Sequence, residues 1–299
     1  MQATWKSLMP AKAPTMKPLA QAERHDAARH PKTPLRVAVA GLGAIGLKVA
    51  EALDRGIPGC VLAAVSANDL SKAAQRLSHL GRPPPVVTLG ELEPLADIVV
   101  ECAPSKLLPA IAEPFLAAGK TVIVLSAGAI LSHEHLIGLA RQHGGQIVVP
   151  SGALLGLDAV TAAAEGEIRS VRMVTRKPVR GLTGAPYLAE HNIRIEDITE
   201  PLRVFKGTAR EAAIGFPANL NVAVALSLAG IGADKTTLEI WADPSLTRNT
   251  HRIEVDSDSA TFSMSIENVP SENPRTGRIT ALSVISYLRK LGAPLRVGS

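Results

Sequence analysis

No stretch constrains this chain more than residues 35–54, where the apolar run LRVAVA leads directly into GLGAIG and on into AIGLKVAEALD, whose apolar residues fall at helical spacing. Strand, glycine turn and helix in that order, with a second apolar run (VLAAVS) behind them, describe a βαβ unit. The glycines match G-x-G-x-x-G, a pattern that is weak alone and informative in this setting. Gly41 allows the tight turn, Gly43 lets a pyrophosphate approach the backbone, and Gly46 lets helix and strand pack closely. Ala44 and Ile45 complete the loop, and the start of the helix offers N–H donors and positive partial charge to phosphates. The segment reads as the entry to a dinucleotide site for NAD or NADP.

The alternation continues as far as residue 150. Helix-like SKAAQRLSHLG, a short VVTL, strand ADIVVECA, helix KLLPAIAEPFLAAG, strand TVIVLS, helix HEHLIGLARQHG and strand QIVVPS follow one another. Such an order demands a parallel, doubly wound sheet, and its continuously apolar strands agree with cover on both faces. The texture then changes. SGALLGLDAVTAAAEG reads as a helix entered through glycines, and IRSVRMVTRKP, ITEPLRVFKG, TTLEIWADP, THRIEVDSD and ATFSMSIEN read as strands around an apolar helix, NLNVAVALSLAGIG. The fold class is therefore α/β, an N-terminal Rossmann dinucleotide-binding domain joined to an α+β domain with a mixed or antiparallel sheet.

A chain of 299 residues suits two cores. We expect an extension outside the fold at 1–33, the Rossmann domain at 34–150, a substrate and oligomerisation domain at 151–267, and a C-terminal helix at 268–299 that packs back on the first domain. Met16 is a possible true start, and the acidic Glu23 and Asp26 weigh against a transit peptide. The formal charge of +5 is concentrated partly in the extension, with no basic stripe interleaved with aromatics, so nucleic acid is not expected as a partner. No segment is long and apolar enough to span a bilayer, and Cys60 and Cys102 fit neither a disulfide framework nor a metal-ligand spacing. A cytoplasmic protein without a metal is the expectation.

At the end of the second strand, where an NAD site normally carries Asp or Glu for the ribose hydroxyls, this chain has Ser66, followed by Asn68 and Asp69. A hydroxyl does not repel a 2′-phosphate, yet no arginine stands ready to neutralise one, and Asp69 reads first as a helix cap. Cys102 and Ala103 follow the strand ADIVVE, near where a nicotinamide ring would lie; the thiol has no base beside it and reads as a small buried hydrophobe rather than a nucleophile. Ser126 lies in no Gly-x-Ser-x-Gly elbow. His133 and His135 differ by two positions and cannot share a helix face, so a metal pair there is not expected. His251 begins a strand on the half that should face the nicotinamide, and taken alone it reads as a structural histidine ahead of a catalytic one.

From about Leu35 to Leu291 the chain resembles the L-aspartate dehydrogenases, through GLGAIG, VVECAPS, VLSAGAI, PSGALLGLDA, FKGTAREA, FPANLNVAVALSLAGIG, ADPSLTRNTHRIEV and ENPRTGRITALSVISYL taken in order. That resemblance implies a catalytic His251, cofactor contacts at Ala153 and Asn221, and a homodimer or larger assembly. It also implies oxidative deamination of L-aspartate to iminosuccinate and then oxaloacetate and ammonia, or the reverse reductive amination, with a place in amino-acid metabolism and NAD biosynthesis. An imidazole with a pKa near 6.5 suits a general base. Two substrate carboxylates need cations, for which Lys177 and Arg248 are preferred over Arg176 and Arg275. Leu155 stands where a further glycine is expected, and Ser66 leaves NAD against NADP open. The rivals are a homoserine-dehydrogenase-like or dihydrodipicolinate-reductase-like enzyme acting on another amino or imino acid, and a dinucleotide-binding sensor without turnover.

Overall fold

The structure is a computed structural model, described here for residues 33–217, 220–270 and 277–298. Strands β1 (Leu35–Ala40), β2 (Cys60–Ser66), β3 (Val86–Val87), β4 (Ile98–Glu101), β5 (Thr121–Val124) and β6 (Gln146–Val148) form one sheet in the order β3-β2-β1-β4-β5-β6. Every pairing in it is parallel. The order reverses between β1 and β4, and a doubly wound sheet binds its ligand at that switch point, beyond the carboxyl ends of the strands.

Side chains of β1 alternate between two buried cores. Val37 and Val39 pack with α1 (Ala44–Asp54) and α2 (Leu70–Leu77), whereas Ala38 and Ala40 face α3 (Leu108–Ala117) and α5 (His135–His143). The two-residue period of a strand covered on both faces produces this division. The last helix, α10 (Ile279–Gly292), inserts Val284 and Leu288 into the core of α1.

The second sheet contains β7 (Ile168–Lys177), β8 (Leu202–Thr208), β9 (Thr237–Ala242), β10 (Asn249–Ser257) and β11 (Thr261–Asn268), in the order β11-β10-β7-β9-β8. It is mixed, because β7 and β9 run parallel while the other pairs are antiparallel. Helices α6 (Leu157–Ala164), α7 (Pro186–Glu190), α8 (Ala209–Gly215) and α9 (Asn221–Ala229) supply Val160, Leu188, Ala212, Ala223 and Leu226 to a core on one face of it. On the other face Arg172 is paired with Glu239 at 2.9 Å and with Glu254 at 3.3 Å. Alternation along β7 sorts these groups, with Val171 and Met173 buried and Arg172 exposed.

The strand-like run ITEPLRVFKG forms a strand only from Leu202, since Pro201 has no N–H to give a ladder. Helices α7 and α8, and α4 (Ala127–Ile130) directly after β5, add to the elements read from the sequence.

Candidate functional site

The glycine turn is built around close backbone contacts. Gly41 has φ +104°, donates its N–H to the Ser66 carbonyl at 2.7 Å, and would place a Cβ 2.6 Å from the backbone carbonyl of Cys102. A Cβ at Gly46 would lie 1.9 Å from the Gly41 carbonyl oxygen, so α1 can reach β1 only with glycine there. Above Gly43, by contrast, no atom lies within 4 Å of a Cβ position. Gly43 is also the N-cap of α1 and contributes no side-chain capping bond, which leaves the first-turn N–H groups available. These features fit a pyrophosphate resting on the helix N-terminus.

A cavity of about 580 Å³ opens beyond the carboxyl ends of β4, β5 and β6. Its Rossmann wall includes Ile45, Cys102, Ala103 and Ser126; its other wall includes Lys177, Asn221, Asn249, His251 and Asn268, and Ala153 lies on the link that follows β6. Bonds across the gap hold the walls in register. Gly128 N–H donates to Asn221 Oδ1 at 3.1 Å, and Asn268 Nδ2 donates to the Ala153 carbonyl at 2.9 Å.

The second wall owes its chemistry to the register of β7 and β10. Val171 and Met173 of β7, with Ile253 and Val255 of β10, point into the apolar core. The same two-residue period carries Thr175, Lys177 and His251 onto that face, where they are buried to 0%, 4% and 3% exposure. His251 lies directly opposite Thr175 in the antiparallel ladder, and its Nδ1 is 3.1 Å from Thr175 Oγ1. Burial lowers the Lys177 ammonium to a pKa of about 8. Burial, reinforced by the Lys177 charge, lowers the His251 imidazole to about 3 rather than the 6.5 of a free side chain. The ring is therefore neutral near pH 7.

Glu101, which the sequence reading passed over, is fully buried at the end of β4. Its carboxylate accepts hydrogen bonds from Leu125 N–H at 3.1 Å, Ser126 N–H at 2.8 Å and the Ser126 hydroxyl at 3.0 Å. Burial raises its pKa and these donors oppose the shift. The contacts tie the ends of β4 and β5 together in the cavity wall, which Glu101 itself helps to line. An acidic residue closing the apolar strand IVVE was the available signal, because a buried charge requires partners. Cys102 lines the cavity with its pKa raised by burial and then by Glu101, which keeps the thiol protonated.

The remaining candidates lie outside the cavity. Ser66 is buried, and its carbonyl supports the glycine turn. Arg248 is exposed in the turn before β10, and Arg176 points to the opposite face of the sheet, 3.4 Å from Asp243. Arg275 is not among the described residues. Of the four basic candidates for the substrate carboxylates, Lys177 is the one that lines the cavity among the described residues. Among the described residues no group of His, Cys, Asp and Glu could hold a metal ion, and no helix is long and apolar enough to cross a membrane.

Comparison with known proteins agrees with this arrangement. Residues 158–291 match the family model described as aspartate dehydrogenase, C-terminal, and residues 41–150 match the NAD-binding domain of homoserine dehydrogenase. The chain is 61% identical to L-aspartate dehydrogenase of Bradyrhizobium diazoefficiens, over 89% of this chain and 94% of that protein. It is 62% identical to L-aspartate dehydrogenase 3 of Bordetella bronchiseptica, over 89% and 98% respectively. The crystal structure of an aspartate dehydrogenase from Thermotoga maritima shares the fold, with a TM-score of 0.68 at 24% identity over 88% of this chain and 99% of that one. The chain belongs to the L-aspartate dehydrogenase family.

Proposed function

We propose that the chain catalyses NAD(P)-dependent oxidative deamination of L-aspartate to iminosuccinate, which hydrolyses to oxaloacetate and ammonia, with reductive amination as the reverse reaction. The observation that carries this reading is the placement of His251 and Lys177, with Thr175 hydrogen-bonded to His251, at the end of a sheet face that is apolar further along β7 and β10, across the cavity from the ends of β4, β5 and β6. Gly41, Gly43, Ala44, Ile45, Gly46, Cys102, Ala103, Ala153 and Asn221 would hold the dinucleotide, and its nicotinamide supplies the acceptor for the hydride leaving Cα.

In this assignment the ammonium of Lys177 binds one substrate carboxylate. The dianion also restores the positive charge that burial disfavours, raising the affinity of both Lys177 and His251 for protons. Nδ1–H of His251 donates to Thr175, leaving Nε2 to accept the proton of the water that attacks the imine and to return it to the departing ammonia. Glu101 holds the strand ends together through its bonds to Leu125 and Ser126.

Two copies are proposed to assemble through the outer face of the second sheet, where Trp241 has the Arg176 guanidinium 4.9 Å and the Arg203 guanidinium 5.8 Å from its ring. Sedimentation of the wild type and of Trp241→Glu tests this: a dimer that the substitution dissociates supports the face, and one that it leaves intact contradicts it. The free thiols Cys60 and Cys102 suit a cytoplasmic location.

Formation of reduced cofactor with a panel of amino acids tests the activity. L-Aspartate should exceed L-glutamate and L-homoserine by at least about a hundredfold in kcat/KM, roughly the scale on which a pocket discriminates one extra methylene and below that for a missing hydrogen-bonding group. A preference for L-homoserine would favour the homoserine-dehydrogenase-like rival, and tight dinucleotide binding without turnover on any amino acid would favour a sensor.

A further inference from the structure

The cofactor preference left open at Ser66 is addressed by a residue on the next helix. Ser66 ties the end of β2 to the glycine turn through its carbonyl, which accepts the Gly41 N–H at 2.7 Å. One residue further along that turn, the Leu42 carbonyl accepts a 2.7 Å hydrogen bond from Nη1 of Arg76. Arg76 lies on α2, ten residues after Ser66, and the helix brings its guanidinium back over the start of the dinucleotide loop. The sequence reading found no arginine beside Ser66, and the fold brings Arg76 to the loop from further along the chain. Sequence distance concealed it.

The nearby acid is otherwise engaged. Asp69 caps α2, its carboxylate accepting the Lys72 N–H at 2.9 Å. Among the described residues no carboxylate pairs with Arg76, and Nη1 is the atom bound to the loop. Nη2 and Nε keep their donors, and the side chain is exposed. Lys72, one turn earlier on α2, is exposed as well and adds positive charge. A guanidinium presents a planar fork of donors suited to phosphate oxygens.

We propose that Arg76 binds the 2′-phosphate of NADP, with Leu42 fixing the guanidinium beside the adenosine ribose, and that the chain consequently takes NADP at least as readily as NAD. This rests on the dinucleotide reading of the site, and it is tested by binding alone, without any amino acid.

Dissociation constants for NADPH and NADH are measured on the wild type, Arg76→Lys and Arg76→Gln, together with competition by 2′,5′-ADP and 5′-AMP. Arg76→Gln should weaken NADPH roughly ten- to a hundredfold and NADH by less than about threefold, as expected for loss of a charge-assisted, forked contact. Arg76→Lys should fall between, since it keeps the charge and loses the fork. Equal weakening of both dinucleotides would overturn the proposal in favour of adenine stacking or loop support, and no weakening of NADPH would overturn it outright. The wild type must also bind 2′,5′-ADP more tightly than 5′-AMP. Equal affinity for the two fragments contradicts the assignment even if the Arg76 variants fail to fold. Absent aspartate oxidation leaves it standing, whereas a wild type that binds neither dinucleotide overturns it together with the reading of the site.

Discussion

His251 and Lys177 occupy positions that the strand period assigns to the core, and Val171, Met173, Ile253 and Val255 show what those positions ordinarily hold. A lysine and a histidine placed there cost stability, and such violations of pattern concentrate at functional sites. His251→Ala should lower turnover with L-aspartate by roughly a hundredfold or more, the usual scale of general acid–base catalysis, while the dissociation constant for the cofactor stays within about threefold. Steady-state rates and binding on one preparation separate that outcome from a structural role, in which thermal stability and cofactor binding fall together while turnover per folded molecule persists. Lys177 makes a prediction in pH. With its pKa at about 8, Lys177 loses its charge above that value, so succinate, a dicarboxylate without an amino group, should inhibit progressively less as pH rises past 8. Inhibition constants for Lys177→Gln should be weak and flat over the same range. A pH profile unchanged by the substitution would return the carboxylate contact to other groups. His251 was legible in the sequence from its strand position and the family resemblance. The fall of its pKa to about 3 was not, since that depends on burial and on a neighbour 74 positions away.

The helices and strands divide by how local their causes are. Strands β1, β2, β4 and β5, buried on both faces, announce themselves as apolar runs, and α1 follows from its glycine entry and helical spacing. Helix α8 is only seven residues long, too short for a periodicity to stand out. Its signal lies at the N-terminus, in the sequence TARE. Thr208 Oγ1 accepts the Glu211 N–H at 3.2 Å, and the Glu211 carboxylate accepts the Thr208 N–H at 2.8 Å, a reciprocal capping box. Thr208→Ala should therefore destabilise the protein by about 1 kcal/mol, the typical value of such a cap. Denaturant unfolding and kcat measured together check this, with kcat expected to remain unchanged because Thr208 is not part of the cavity wall. A loss of activity without loss of stability would show that α8 serves the site in some other way.

At the scale of the whole molecule, the site exists because two sheets of different construction meet. The parallel sheet provides a backbone cradle at its switch point, and the mixed sheet provides side chains on its buried face. Asn221 to Gly128 and Asn268 to Ala153 bridge them, while α10 returns the end of the chain to the first core. The sequence order of strands and helices made the two-part architecture readable. Which residues converge was readable only in part, as Arg248 and Lys177 show: both are cations on the second half, but Arg248 lies in the exposed turn before β10, whereas the register of β7 places Lys177 in the cavity wall. The central claim is that this cavity brings Cα of L-aspartate to a nicotinamide ring for direct hydride transfer. The direct measurement is the mass of the reduced cofactor formed from L-aspartate carrying deuterium at Cα. The reduced cofactor should be heavier by a single deuterium, in wild-type protein and in proportion to turnover. Reduced cofactor without the label, or label lost to solvent while oxaloacetate accumulates, would contradict the account.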